Sequence, residues 1–577
     1  NRARGTTVGP FGKNSPDFFL SWTSGGGVTM LGGFQIGRSA LLTSQRAMQV
    51  TGQNLANAAT IGYRRRTVEL TSLGARNGVF SGQGVGISSI RRELDPALAA
   101  RLRGALSMEV ANGTEYTYLS QVEALQDALG DNNLSSELTA FFGAFSNLAD
   151  NPSDDALRGL AVSRGTALAD RVNRLHEDYL NARTNLDADL SASAGQIDQL
   201  LTDIATLNGE IVQSQDGDVS ALQDQRDLKL DELAQLVEID VIGQPAGSVT
   251  VQVNSIPVVL GNQSLGFEFE RTDGGIELRT KDGTILNPTG GEIAALRRQD
   301  AETIQPALDA LESLTNQLVF QVNRAHSSGQ GTVGWEVAQG FSLGDRTVPL
   351  ADLGLPVTPA PGGFSLHVLD PETGDRVTRT IGIDPSTMSV DDIVDAVNAA
   401  AGDLGVVASA DDGGRLTLTA PTGRTLQFSD DPTGVLAAIG INSYFEGSAG
   451  DLAVRSALVD DPRLLAAGSN LEEGSNGTAL LMAQLGDLDN DALGGRSLQD
   501  FWITHVDDVA VRTASARNAL QASSIVRENL DLAMQQRSGV SMDEELLNLT
   551  TWQNQYQAAA RFLETLDETM QELLRLA

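Results

Sequence analysis

Apolar residues recur every seven positions at both ends of this chain, and that pattern limits the folds open to it. Near the amino end, Phe34, Leu41, Met48 and Leu55 are spaced by seven, with small residues (Ser44, Thr51, Ala58) three positions further on. Near the carboxyl end, Leu549, Tyr556, Leu563, Met570 and Ala577 hold one heptad position, and Trp552, Ala559, Leu566 and Leu573 hold the other. So narrow an apolar stripe cannot be buried by its own helix and needs a partner. Gly62 ends the first segment, and Ser541-Met542-Asp543-Glu544 is a capping box that starts the second. The simplest architecture folds the chain back on itself, so that the two ends pair. Charge favours this. Residues 31–104 carry ten arginines against Glu69, Glu93 and Asp95, a net of +7; residues 541–577 carry seven acidic residues against two arginines, a net of −5. Exposed pairs add little energy each, but opposite fields favour association and register.

Between the ends the period changes twice. Leu190, Ile197, Ile204 and Ile211 form one helical row, with Leu186, Ser193, Leu200 and Leu207 beside it. Near Ile239 the period becomes two, as in Val249, Val251 and Val253. A helix over about 301–325 follows; it tolerates Pro306 only in its first turn. Alternation returns in Phe364, Leu366 and Val368, and again in Leu416 and Leu418; Asp412-Gly413-Gly414 is a hairpin signal before the latter pair. Ser389 to Asp392 is a second capping-box start. The fold class expected is therefore α+β and multidomain, with paired terminal coiled-coil helices, a mainly helical inner domain and a β-rich outer one. The expected division is 30–96 for the N-terminal axial segment and 97–334 for the helical domain, with a small β insertion near 245–290. The outer β-rich unit takes 335–450, a return to the helical domain 451–540, and the C-terminal axial helix 541–577.

Composition removes several function classes. Lys and Arg number 40 against 75 Asp and Glu, a net of −35, which makes nucleic acid a poor partner. Residues 1–30 are net +2 and residues 31–104 net +7, so the rest of the chain carries −44. That distribution points to self-assembly beneath a soluble acidic exterior. The sequence contains 0 cysteines, which excludes disulfides and thiolate chemistry. No apolar run is long enough for membrane insertion. Residues 1–29 read as a leader upstream of a natural start at Met30, without the apolar core of a secretory signal.

Four motifs carry a resemblance. Thr51-Gly52-Gln53-Asn54-Leu55-Ala56-Asn57-Ala58-Ala59-Thr60-Ile61-Gly62-Tyr63-Arg64 resembles the N-terminal signature of the bacterial flagellar axial proteins (rod, hook and hook-associated). Ser538 to Ser541, continuing through Tyr556-Gln557-Ala558-Ala559-Ala560-Arg561, resembles their C-terminal signature. Asp224-Gln225-Arg226-Asp227 and the run from Gly290-Gly291 to Asn323-Arg324-Ala325-His326-Ser327-Ser328-Gly329 are similar to segments of the hook-associated branch, and Asn151-Pro152-Ser153-Asp154 also fits. The resemblance implies a structural protein of the hook–filament junction, not an enzyme. It would be exported unfolded to the outside of the cell and would form a ring with copies of itself. Its partners would be hook protein, a second junction protein and an export chaperone; no cofactor is implied. The competing readings are a hook subunit, which the long helices disfavour, and a flagellum-displayed adhesin or binding domain in 335–450.

Other constellations are bland. His176-Glu177-Asp178-Tyr179-Leu180 lacks the second histidine of a zinc motif. Gly82-Gln83-Gly84-Val85-Gly86 reads as a turn, Asp487, Asp489 and Asp491 as a solvated loop, and His326 as a cap or packed polar residue. Asn54, Asn57 and Tyr63 are the exception. Short amides at a helix end can cap it and also contact a neighbouring subunit.

Overall fold

A computed structural model gives the architecture; it describes residues 25–74, 84–126, 130, 133–214, 218–272, 274–472 and 474–576. Most of the leader, Gly82-Gln83 and Ala577 therefore lie outside the described residues.

The chain begins with helix α1 (Gly25–Ala56) and an antiparallel hairpin, β1 (Arg66–Leu73) with β2 (Gly84–Arg92). Helices α2 (Pro96–Gln126), α3 (Leu134–Asp150), α4 (Asp155–Gln213) and α5 (Ser220–Leu236) follow. Two small antiparallel sheets come next. One orders β3 (Asp240–Gly243), β4 (Val249–Val253), β5 (Ile256–Leu260) and β6 (Gln263–Ser264); the other orders β7 (Glu268–Thr272), β8 (Gly275–Arg279) and β9 (Ile285–Leu286). Helix α6 (Glu292–Gln299) passes through a π turn into α7 (Gln305–Ser327), which places Pro306 in the first turn. The outer unit holds β10 (Val337–Gln339), β11 (Gly362–Leu369), β12 (Arg376–Ile383), α8 (Val390–Ala401), β13 (Val407–Ala410), β14 (Leu416–Thr419), β15 (Thr425–Ser429) and α9 (Val435–Ile439). Its strands form two sheets, β12-β11-β15 and β10-β14-β13. The return runs through β16 (Phe445–Glu446), β17 (Ala453–Val454), α10 (Ser456–Asp460) and α11 (Gly477–Gln484) to two long helices, α12 (Leu498–Ser538) and α13 (Met542–Leu576). The expected α+β multidomain class is borne out, with terminal helices paired and the strands between them.

Local signals explain much of this. The buried row of α4 includes Leu186, Leu190, Ile197, Ile204 and Ile211, the residues of the seven-residue spacing. Ser389 and Asp392 form a complete capping box on α8. Asp154 caps α4 by accepting from Ala156 N–H at 2.8 Å. The 334/335 boundary, by contrast, is no break in packing: one apolar core runs from Tyr118 to Val509 and includes the inward faces of β11, β14 and β15. The scarce aromatics gather where the helical and β-rich parts meet. Phe141, Phe145, Tyr444 and Phe445 pack with ring centroids 4.6–5.8 Å apart, and the buried Tyr444 hydroxyl donates to Ala161 O at 2.8 Å.

Helix-borne asparagines fasten extended segments to helices. Asn173, Asn208, Asn323 and Asn398 each donate from Nδ2 to one carbonyl and accept at Oδ1 from the same residue's N–H; the partners are Leu452, Val249, Phe445 and Ala408. Each amide takes the place of a missing neighbouring strand, satisfying backbone groups that burial would otherwise leave unpaired.

His326, at the end of α7, is packed and not a catalytic base. It is wholly buried; Nδ1 lies 2.8 Å from Asn442 O, and Nε2 accepts from Ala466 N–H at 2.9 Å. Burial lowers its pKa to about 4. Because the folded pKa lies below the unfolded one, the folded state binds fewer protons. Stability is thus complete above about pH 6.5 and is lost as pH falls towards 4. Loss of about 3 kcal/mol is expected across that window. Unfolding followed against pH should show that slope in the parent chain, and His326→Gln should flatten it.

Candidate functional site

The candidate site is the antiparallel pair of α1 and α13, the hairpin laid over it, and the polar knuckle joining both to the body. Glycine sets the approach of the two helices. A Cβ on Gly37 would fall 2.5 Å from Leu563 Cδ2, and one on Gly33 3.1 Å from Leu566 Cδ1. The buried face of α1 is accordingly a small-residue one: Gly37, Ser44, Ala47, Thr51 and Asn54, with Val50. Phe34, Leu41, Met48 and Leu55, expected as the large layers of the seam, are half-buried on its flank. Bulky side chains would hold the axes apart; the glycines let Leu563 and Leu566 sit against backbone instead.

On α13, Ala559 is buried, and Leu549, Trp552, Leu563 and Leu566 are half-buried. Tyr556, Met570 and Leu573 remain 38%, 41% and 49% exposed. The expected row therefore faces α1 but is not fully covered by it. Leu547 and Leu574 are about 70% exposed on other faces of the same helix. The hairpin is tied to α1 through Ser39 Oγ, which accepts from Val85 N–H at 3.2 Å, and through Thr43 Oγ1, which donates to Val85 O at 3.2 Å. Gly84, at φ +105°, permits this contact. An open apolar groove of about 450 Å³ remains between α1, α13 and the hairpin, lined by Ile36, Ala40, Leu70, Val85, Trp552 and Phe562 among others.

The knuckle is built around Asn54, which is 1% exposed. Its Nδ2 donates to Arg66 O at 2.8 Å and to Glu545 Oε2 at 3.0 Å; its Oδ1 accepts from Arg66 N–H at 3.0 Å and from the Tyr63 hydroxyl at 2.8 Å. All four hydrogen-bonding positions of the amide are used inside the chain. Asn54 and Tyr63 thus tie α1 to β1 and α13, and Asn54 has no capacity left for a neighbour, against the expectation that these residues reach one. Asn57 stays local: its Nδ2 donates to Gln53 O at 2.9 Å, and it accepts from Thr60.

Three consecutive arginines spread from here. Arg65 pairs with Glu544 and the buried Glu545, each at 2.9 Å, and its N–H donates to Ser538 O at the α12–α13 elbow. The capping box at Ser541 is consequently only half made: Ser541 Oγ accepts from Glu544 N–H, while the Glu544 carboxylate goes to Arg65. Arg66 lies over the Tyr63 ring and pairs with Asp218 and Asp224; Arg64 reaches Asp231. Arg92 bridges Asp224 at 2.8 Å and Asp227 at 2.6 Å, and Arg103 holds Asp231 at 2.7 Å. The Asp224-Gln225-Arg226-Asp227 motif is therefore the body's half of the knuckle. Arg226, also buried, turns inward to Asn208 Oδ1 and Gly247 O. Burial pushes the Asp224 and Asp231 carboxyls up despite the arginines beside them. Their linkage favours the folded state on acidification, opposite in sign to that of His326. Sequence spacing gives no sign of these ion pairs, because each joins residues more than a hundred positions apart.

In the outer unit, buried His367 lies 2.8 Å from both Thr378 Oγ1 and Ser429 Oγ, and Ser429 Oγ donates to Asp430 Oδ2 at 2.8 Å. The serine proton points at the carboxylate and away from the imidazole. This is the reverse of a nucleophile and base pair.

Comparison with known proteins agrees with this geometry. Residues 119–341 match the family described as the flagellar hook-associated protein FlgK helical domain, residues 533–576 the flagellar basal body rod FlgEFG protein C-terminal family, and residues 381–422 the flagellin hook IN motif. Flagellar hook-associated protein 1 of Salmonella typhimurium is 26% identical over 577 residues, 93% of this chain and 98% of the relative. The Bacillus subtilis protein of the same name is 24% identical over 566 residues, 94% and 97%. The structure of the flagellar hook junction protein FlgK from Burkholderia pseudomallei shares the fold, with a TM-score of 0.51 at 15% identity, covering 76% of this chain and 99% of that one. The resemblance carried by the terminal signatures and internal motifs is borne out: across more than nine-tenths of its length this chain is similar to flagellar hook-associated protein 1.

Proposed function

We infer that this chain is a structural subunit of the bacterial flagellum that joins hook to filament. The observation that carries the reading is the terminal helix pair. It is held to the body by a polar knuckle, contributes no residue to the main apolar core among the described residues, and leaves its own apolar face partly open. Such a pair gains order when neighbouring copies cover it, because most helical stability in a protein comes from packing of the apolar face. The occupants are copies of the chain in a ring, with hook protein on one side and a second junction protein on the other. Export in an unfolded state, with a chaperone holding the terminal heptads, belongs to the same reading, as does a location outside the cell. The acidic outer unit faces solvent and has no catalytic task. Immunogold labelling against the outer unit should place the chain at the distal end of the hook. Label along the filament, or none on flagella, would refute the reading.

A further inference from the structure

The opposite charges of the two terminal helices are not used between them. Helix α1 carries Arg38 and Arg46 and no acidic residue. Among the described residues no ion pair joins α1 to α13; Arg65, which reaches Glu544 and Glu545, lies beyond the end of α1. Arg38, Leu42 and Arg46 form one exposed row on α1, and Leu42 between the arginines is 55% exposed. Glu564, Glu568 and Glu572 form an exposed row on α13 with the same spacing of four. Each row covers about 12 Å of helix. At about 100° per residue the first lies across α1 from Gly33 and Gly37, and the second across α13 from Ala559 and Leu563, so both point away from the helix pair. None of these five charged side chains has an ion pair among the described residues. Arg46 acts on Asp218 at a distance, but that carboxylate pairs with Arg66. Residues 561–575 hold four acidic residues against Arg561 and Arg575, a net of −2. Glutamates four apart on one helix repel each other, and a cation laid along them relieves that repulsion.

We propose that the α1 row of one copy docks on the α13 row of the next, with Arg38 and Arg46 set against the glutamates and Leu42 covered between them. This rests on the reading above that copies of the chain assemble side by side. The occupant is a second copy because the two rows match in length and spacing, oppose in charge and lie on opposite flanks of one helix pair. Such a contact is heterologous: each copy gives one face and receives the other, so the same joint repeats around a ring. The charges fix which flank meets which, since arginine against arginine or glutamate against glutamate is repelled.

Charge reversal of the full chain tests the contact, with copies recovered in purified flagella counted by immunoblot in a strain lacking the parent. Arg38→Glu with Arg46→Glu should lower incorporation at least about tenfold, and so should Glu564→Arg with Glu568→Arg. The chain carrying all four changes should return to near the parent level. That rescue separates the contact from export, which two altered faces would impair further rather than repair. The Tm of every variant should stay within about 2 °C of the parent, because neither row is paired inside the chain. Parent-level incorporation of either reversed chain would overturn the proposal, as would a fourfold variant no better than the twofold ones. A large fall in Tm would overturn it too, by showing that the rows act within one chain. Absence of the parent itself from flagella would refute the junction reading, and the contact with it.

Discussion

Removal of residues 541–577 should leave the body folded and abolish incorporation into flagella. The main core runs from Tyr118 to Val509, and on α13 only Glu545 and Ala559 are buried. Deleting α13 therefore exposes little of the core. The main unfolding transition should stay within about 2 °C of the parent value, the shift that roughly 1 kcal/mol produces in a large domain. Helical content should fall by more than α13 alone, because α1 loses the helix against which Gly33 and Gly37 pack and frays. Calorimetry and circular dichroism of the truncated chain check both statements. A large loss of body stability would show that the terminal pair is part of the core. Normal filament growth by the truncated chain would show that it is not the assembly element.

The second large effect is expected at Asn54. Asn54→Leu leaves the N–H and C=O of Arg66 and one oxygen of the buried Glu545 without partners, at a cost of about 3–5 kcal/mol. Asn54→Asp is no milder: it removes both donors and sets a second carboxylate beside Glu545. The loss is local, because the affected groups join α1, β1 and the start of α13. Hydrogen exchange should accelerate in the hairpin and the first turns of α13 and stay unchanged in α4. Asn57→Ala is the control. Its bonds stay within one helix end at the surface, so it should change stability by less than about 0.5 kcal/mol. Equal effects at Asn54 and Asn57 would contradict the assignment of Asn54 as the knuckle's centre.

These two sites mark how far the sequence can be read. The heptad rows made the terminal pairing legible, since apolar residues announce their period. The face of α1 that lies deepest was legible in part: Ser44 and Thr51 stood out as small residues beside the heptad row, and both are buried. Gly37 was not, because it carries no hydrophobic signal and only the approach of Leu563 gives it meaning. Asn54 stood out as a short amide at a helix end, but its partner Glu545 lies 491 residues away, a distance no local pattern spans. The same holds for Arg92 with Asp224 and Asp227, visible beforehand only as an arginine-rich segment and a separate acidic motif. The outer strands were legible from alternation. The core they share with the helical domain was not, because Phe141 and Tyr444 meet through tertiary packing alone.

The central claim is that this chain is the piece on which the filament is built and that it does so by assembly. A strain lacking it tests that most directly, by electron microscopy of the cells and assay of filament protein in the medium. The account predicts complete hooks without filaments and filament subunits shed into the medium, with both defects repaired by the full chain. Filaments of normal length on the deletion strain would contradict it.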